Sequence, residues 1–308
     1  PTPSCPDEGA RGGILVARVK RGVAGALAQA VDLDHGHALV AVDPEQPGAD
    51  QLLALPGVVS ADPQQPARGC ELVCVLGGDG TILRGAELSR DLGVPLIGVN
   101  LGHVGFLAES ERDALDVTVD RMLARDYVVE DRMTLEVVAT HAGREIFRGW
   151  ALNEATVEKA ARERMLELTA EIDGRPLSTW GCDGVVIATP TGSTAYAFSA
   201  GGPVIWPDVE AILLVPISAH ALFARPVVLG PRSRLAVEVV PHTDGLGVVW
   251  CDGRRAVDLP PGARIEVTQS AIPVRLARLS DAPFTDRLVA KFDLSVHGWR
   301  GRAREDRS

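Results

Sequence analysis

The chain has 308 residues, enough for about two domains at roughly 150 residues each. Apolar residues make up 46% and charged residues 23%, close to the globular average, which excludes a disordered or collagen-like chain. A formal net charge of −10 and an aromatic content of 4% argue against attraction to nucleic acid or an anionic membrane through overall charge, and leave few rings for stacking on single strands.

The first half alternates strand-like and helix-like segments. Gly13 to Val19 (GILVARV) reads as a buried strand, Val23 to Leu33 as a helix and His37 to Asp43 (HALVAVD) as a second strand. Pro44 to Gly69, rich in Pro, Gln and Ala, carries no assignable element. Glu71 to Leu76 (ELVCVL) is the clearest strand, followed by a helix over Thr81 to Leu92 and a strand over Val94 to Val99. Arg112 to Arg125 is a helix expected to bury Leu115, Val119, Met122 and Leu123. Such alternation predicts a parallel sheet with crossovers. From Thr134 onward, short β-rich runs dominate, among them LEVVA, LELTAEI, VVIAT, ILLVPI and GVVWCD, with turn signals at Asp173-Gly174 and Asp252-Gly253. The expectation is an α/β N-terminal domain (1–130) with a parallel sheet, plus a β-rich, two-sheet C-terminal domain (131–283), with the tail 284–308 returning to the first.

Five cysteines, an odd number without a CxxC pair, argue against a disulfide framework or a zinc ribbon and for a reducing, cytoplasmic compartment. Cys70 and Cys74 read as buried thiols. No apolar run reaches the ~18 residues of a transmembrane helix, and the opening PTPSCPDEGARGG lacks the order of a signal peptide and reads as a leader.

Four segments carry candidate chemistry. Leu76-Gly77-Gly78-Asp79-Gly80-Thr81 sits at the carboxyl end of a strand and opens a helix, the place where open α/β sheets bind ligands. Its glycine N–H groups and the helix N-terminus suit phosphate oxygens. Asp79 would repel phosphate unless a metal lies between them or it takes a proton from a nucleophile, either of which suits phosphoryl transfer to a hydroxyl; the plain alternative is a helix cap. Arg84 is the nearest cation. The second segment, Asn100 to Leu107, follows the next strand and offers Phe106 as a wall for a flat base or as a buried turn residue; His103 reads as structural. The third, Asn153-Glu154, suits sugar hydroxyls, although a solvated turn is the default. The fourth runs from Asp183 to Pro203 (DGVVIATPTGSTAYAFSAGGP) and combines small hydroxyls with Tyr196, one of only two tyrosines. His35 and His37 lack a third metal ligand, and Lys159 to Arg164 (KAARER) reads as a solvated face or a phosphate contact.

GGDGT, NLGHVGFLAE, NE, DGVVIATPTGSTAYAFSAGGP and PISAHALFARPVV occur in the order found in bacterial NAD kinases, and from Glu71 to Trp299 the chain resembles that family. GGDGT is shared with lipid kinases and, more loosely, phosphofructokinases; the NE pair together with TPTGSTAY is far more specific. The resemblance implies transfer of a phosphoryl group to the 2′-hydroxyl of the adenosine ribose of NAD, giving NADP. The implied donor is ATP with a divalent metal such as Mg²⁺, inorganic polyphosphate also being accepted by some members. It implies a homodimer or homotetramer and no nucleic-acid or membrane partner. Carried over by motif, Asp79 is the general base. Gly77, Gly78, Gly80 and Thr81 form the donor-phosphate loop. Asp79, Gly80, Arg84, Phe106, Asn153, Glu154, Arg164, Asp183, Thr191, Thr194, Ala195, Tyr196, Ala197, Phe198, Ser199 and Ser218 line the NAD site, Ser218 as a second subunit's contribution. No protein side chain is implied as a metal ligand. The chain departs from the family at Gly181, often Arg, and at Arg254, often Gln, which weakens the phosphate or nicotinamide contacts implied there. A lipid kinase would show a basic or apolar membrane-docking face, which this acidic chain lacks; a non-catalytic dinucleotide-binding regulator would have no need of an acid at Asp79.

Overall fold

The computed structural model of the chain describes residues 13–17, 40–42, 58–60, 62, 64–100, 105–111, 115–161, 165–242, 245–279 and 282–296. The expected helix over Val23 to Leu33, together with Cys5, His35, His37, His103 and Arg164, lies outside them. Two compact units form: residues 1–130 with 275–308, and residues 131–274.

The first unit is built on an eight-stranded sheet. Its strands are β1 (Gly13–Ala17), β2 (Val40–Val42), β3 (Val58–Ser60), β4 (Cys70–Leu76), β5 (Leu96–Asn100), β6 (Ala108–Glu111), β7 (Val128–Arg132) and, from the end of the chain, β20 (Val274–Arg278). The order is β3-β2-β1-β4-β5-β20-β7, with β6 also paired to β5, and the pairings of β1 with β2 and β4, of β2 with β3, and of β5 with β4, β6 and β20 are parallel. β3 falls in the Pro/Gln-rich stretch left without an element. β4 and β5 are apolar and buried almost throughout, as strands covered on both faces must be. Helix α1 (Asp79–Ser89) lays Ile82, Leu83 and Ala86 on β4 and β5; these positions share one helical face. A 3₁₀ turn, Arg90–Leu92, ends it, and Gly93 closes the turn in the left-handed region. Helix α2 (Leu115–Leu123) buries Val119 and Met122 as expected, but Leu123, its last residue, is 39% exposed. Between β20, which lies in the range read from sequence as second domain, and residue 296 the chain forms helix α4 (Phe284–Phe292).

The second unit is a pair of six-stranded sheets. Their strands are β8 (Leu135–His141), β9 (Arg144–Ala151), β10 (Glu154–Lys159), β11 (Leu166–Ile172), β12 (Arg175–Cys182), β13 (Gly184–Ala188), β14 (Ile212–Ile217), β15 (Val227–Leu229), β16 (Leu235–Val239), β17 (Gly247–Cys251), β18 (Arg255–Leu259) and β19 (Arg264–Gln269). The sheet orders are β15-β14-β13-β10-β17-β18 and β12-β11-β16-β19-β8-β9, and the pairings are antiparallel. Alternate residues such as Leu135, Val137 and Ala139, or Leu166, Leu168 and Ala170, point into one core between the sheets. β13 and β14 are apolar without alternation because their outer faces are covered too: Val186, Ala188, Leu213 and Val215 pack with Ala197 of the short helix α3 (Tyr196–Ser199) and with Ile205. Asp173-Gly174 and Asp252-Gly253 turn the β11–β12 and β17–β18 hairpins with positive φ at both residues (53° and 76°, 52° and 63°), the backbone that suits the twist of paired strands. Among the described residues no helix is long and apolar enough to cross a membrane.

Candidate functional site

In the first unit, β4 runs into α1 through Gly77 and Gly78. The Gly77 N–H donates to Val99 O at 2.9 Å and so extends the ladder between β4 and β5. Gly78 caps the helix without a side chain, its carbonyl accepting from Thr81 and Ile82. The N–H groups of Asp79 and Gly80 lie outside the helix's own ladder, at the positive end of its dipole. Gly78, Gly80 and Arg84 are exposed; Asp79 and Thr81 are half-buried. The side chain of Asp79 does not cap its own helix. Its Oδ2 accepts the Phe106 N–H and its Oδ1 the Leu107 N–H, each at 3.2 Å. A Cβ on Gly105 would run into this carboxylate, lying 3.1 Å from Cγ, so the turn meets Asp79 this closely because residue 105 is glycine. The two GDG and GxxGF segments are thus one construction: a carboxylate at a helix start, fixed by two N–H groups from the neighbouring strand's loop. The Phe106 ring packs against Phe284 and Phe292 of α4, with centroids 6.0 and 5.6 Å apart.

In the second unit, Asn153 and Glu154 are buried, 7% and 8% exposed; the default of a solvated turn fails because both sides of this segment are covered. From one side the Asp252 carboxylate accepts the N–H groups of Leu152 (3.0 Å), Asn153 (2.8 Å) and Glu154 (3.3 Å). From the other, the Thr189 hydroxyl donates to Leu152 O at 2.6 Å and the Thr189 N–H to Asn153 O at 2.9 Å. Thr189 in turn accepts from the Gly192 N–H at 3.1 Å. A Cβ on Gly192 would collide with the Asn153 carbonyl, so the backbone of TPTG lies directly on the NE segment.

Burial and the nearby Asp252 charge push the Glu154 carboxyl up to about 8, against a pull downward from the Tyr196 N–H. Glu154 Oε2 is buried without a hydrogen-bond partner among the described residues. Asp252 is also pushed up by burial, offset by the N–H groups of Leu152, Asn153 and Glu154 and by Arg255. Arg255 pairs with it at 2.8 Å and stacks 4.4 Å from the Trp150 ring centroid.

Residues Thr191–Thr194 form a 3₁₀ turn. The Ser193 hydroxyl donates to Pro190 O at 2.6 Å and accepts the Ile205 N–H at 2.9 Å, and the Thr194 hydroxyl returns to Thr191 O at 3.3 Å. Ala197 is buried, whereas Tyr196, Phe198 and Ser199 are exposed and Ala195 half-buried. Burial and then the charges of Glu158, Asp183 and Glu154 push the Tyr196 phenol up. Asp183 pairs with Lys159 at 2.5 Å; that bond, aided by the Ser218 hydroxyl, holds its carboxylate below the usual range. Gly181 takes part in a bridge, its carbonyl accepting the His220 N–H at 2.9 Å, and Arg254 closes the β17–β18 turn with its N–H on Cys251 O at 3.1 Å. Among the described residues no three His, Cys, Asp or Glu side chains gather into a metal-binding group.

Thus Asp79 and the Phe106 turn come together in the first unit, and Asn153, Glu154, Asp183, Tyr196 and Ser218 with the 191–194 turn in the second. Sequence reasoning missed Asp252 and Arg255, and took Thr189 and Lys159 only as members of the 183–203 and 159–164 segments, without their roles beneath the NE segment and on Asp183. Asp252 had been read only as a turn residue, and nothing in its local sequence points to a segment about a hundred residues away.

Comparison with known proteins places the chain in a family. Residues 19–127 match the family model of the ATP-NAD kinase N-terminal domain and residues 152–279 that of the C-terminal domain. The chain is 64% identical over 252 residues to NAD kinase 2 of Streptomyces coelicolor, covering 81% of this chain and 83% of that one. Among solved structures, the fold is similar to that of the yeast NADH kinase complexed with NADH (TM-score 0.82, 23% identity, 94% and 90% of the two chains). It is also similar to an NAD kinase from Archaeoglobus fulgidus in complex with ATP (TM-score 0.68, 25% identity, 92% and 98%). The chain belongs to the NAD kinase family. Its activity is that of an NAD kinase, phosphorylation of an alcohol group of the dinucleotide.

Proposed function

We propose that the enzyme transfers the terminal phosphoryl group of ATP to the 2′-hydroxyl of the adenosine ribose of NAD, with Asp79 as general base. The observation that carries this reading is the carboxylate of Asp79, set at the start of α1 beside Gly78 and Gly80 and held by two N–H groups. A ribose hydroxyl is a poor nucleophile at neutral pH, so a placed proton acceptor supplies what the solvent does not. The 2′-hydroxyl proton passes to the Asp79 carboxylate, the new O–P bond forms, the bond from the γ-phosphorus to its bridging oxygen breaks, and ADP leaves. Gly78 and Gly80 hold the donor phosphates through N–H groups and the helix dipole, Thr81 through its hydroxyl, and Gly77, whose N–H is taken by Val99 O, shapes the loop; the ATP complex of the Archaeoglobus fulgidus relative supports ATP as donor, and inorganic polyphosphate is the alternative donor. A divalent cation such as Mg²⁺ spreads the charge of the phosphates when bound. The residues present fit a cation carried mainly by substrate phosphates, since such a cation needs at most one or two protein carboxylates.

NAD binding falls to Asn153, Glu154, Asp183 and the 191–199 segment. Glu154, pushed up to about 8, is protonated at neutral pH, so its carboxyl both donates to and accepts from a ribose hydroxyl without adding charge beside the NAD phosphates. Asp183, kept ionised by Lys159, is acceptor only. Tyr196 and Phe198 offer exposed rings. Ser218 bonds Asp183 within its own chain, and its contribution to a neighbouring subunit's site belongs to an assembly of two or four copies. The thiols at Cys74, Cys182 and Cys251, buried and free, suit a cytoplasmic enzyme.

The test is NADP formation from NAD, ATP and Mg²⁺, coupled to an NADP-specific dehydrogenase, with polyphosphate then replacing ATP. Asp79→Asn should retain NAD binding and lose most turnover; near-parental kcat in that variant would remove Asp79 from the role of base.

A further inference from the structure

The turn that fixes Asp79 is itself held from behind. Arg287, on α4, donates through one guanidinium nitrogen (Nη1) to Phe106 O at 3.0 Å and to Ala108 O at 3.2 Å. The Phe106 carbonyl and the Leu107 N–H belong to one peptide group, and that N–H donates to Asp79 Oδ1 at 3.2 Å. A cation therefore sits at one end of a peptide dipole and the Asp79 carboxylate at the other. Bonds aligned in this way strengthen one another, and a bond with a charged partner is shorter and stronger than a neutral one. Phe284 and Phe292 flank the Phe106 ring on the same side, and Leu288, 9% exposed, roots the helix.

We propose that Arg287 is a positioning residue for Asp79, acting through the 106–107 peptide group so that helix α4, late in the chain, sets the aim of the carboxylate at the start of α1. This rests on the reading of Asp79 as general base. Arg287 touches no reacting atom; its effect is confined to the orientation of the group that does.

The experiment is a double-mutant cycle on the full chain with Arg287→Met, Asp79→Asn and the pair, read as kcat and KM for NAD and ATP, with Arg287→Lys and Leu288→Ala alongside. Loosening a catalytic group by a fraction of an ångström to an ångström costs on the order of 10- to 100-fold in rate. Arg287→Met should lower kcat by about that factor and leave both KM values within about twofold, since it holds no substrate. Arg287→Lys, which keeps a cation for the carbonyls, should recover part of the loss. In the Asp79→Asn background Arg287→Met should cost less than about twofold, because the group it aims is gone. Leu288→Ala should lower the melting temperature while leaving kcat at 25 °C within about twofold of parent. Unchanged kcat in a folded Arg287→Met, an equal cost in both backgrounds, or an equal loss in Leu288→Ala would overturn the proposal. Should Arg287→Met fail to fold, the same cycle run with Arg287→Lys decides it by the same criterion. Retained turnover in Asp79→Asn alone would instead defeat the base assignment on which this rests.

Discussion

Replacing Asp252 tests the way the second unit holds its NE segment. One carboxylate, 7% exposed, carries four bonds: Oδ1 takes the Asn153 and Glu154 N–H groups and Oδ2 the Leu152 N–H and Arg255. Asp252→Ala strands three buried N–H groups at about 1–3 kcal/mol each and removes the carboxylate that Arg255 pairs with at 2.8 Å. Removing the charge also relieves Glu154, which Asp252 pushes up, so the net loss should be about 3–5 kcal/mol, a fall in melting temperature on the order of 10 °C. Asp252→Asn should cost less, about 1–3 kcal/mol: an amide oxygen at Oδ1 keeps two bonds, but the NH₂ at Oδ2 then faces two donors. The assays are thermal melts and urea titrations together with NAD saturation curves, in which KM for NAD should rise more than kcat falls. An Asp252→Ala protein within 0.5 kcal/mol of the parent and with unchanged KM for NAD would refute the claim that this carboxylate organises the segment.

Glu154 has its folded-state value raised from 4.5 to about 8, so its contribution to stability is full below pH 4.5 and declines as pH rises toward and through 8. Glu154→Gln should flatten the stability profile across that window, measured by urea midpoints at several pH values, and should hold KM for NAD steady above pH 8 where the parent's drifts. A slope that persists in the glutamine variant would assign it to other groups. Gly192→Ala drives a Cβ into the Asn153 carbonyl, with backbone on both sides and no flexible side chain to yield; it should cost about 1–3 kcal/mol and weaken NAD binding, and a neutral result in melts and binding titrations would show that the two segments separate easily.

The sequence made the sheets legible where burial leaves a periodic mark. Leu166, Leu168 and Ala170 alternate because one face of β11 is buried, and ILLVPI runs unbroken because β14 is covered on both. Strand β10 escaped notice: EATVEK has charges at both ends that its backbone pairings with β13 and β17 override. The GGDGT and NE motifs drew attention to Asp79 and Glu154, yet the physical state of each was invisible. Whether Asp79 caps its helix or is held by another loop depends on a contact spanning 27 and 28 positions. Whether Glu154 is solvated or pushed up depends first on its burial and then on Asp252, 98 positions on. An Asp-Gly pair between two β runs is fully explained by a hairpin turn, so a second task for the same aspartate adds no further signal to the string.

That double task also accounts for the burial of two acids side by side. A left-handed turn residue is held in place by its own hairpin, so Asp252 brings a carboxylate to the NE backbone with little freedom left to lose. Three N–H groups and Arg255 compensate it; Glu154, with the Tyr196 N–H as a partner but Oε2 unpartnered, is compensated mainly by taking a proton. The cost is thereby concentrated on a single oxygen of a single residue. In the proposed role a ribose hydroxyl donating to that oxygen offsets part of the cost, so recognition of the sugar and stability of the second unit draw on the same carboxyl, and a substrate lacking that hydroxyl would leave a buried acceptor unpaired rather than merely forgo a contact.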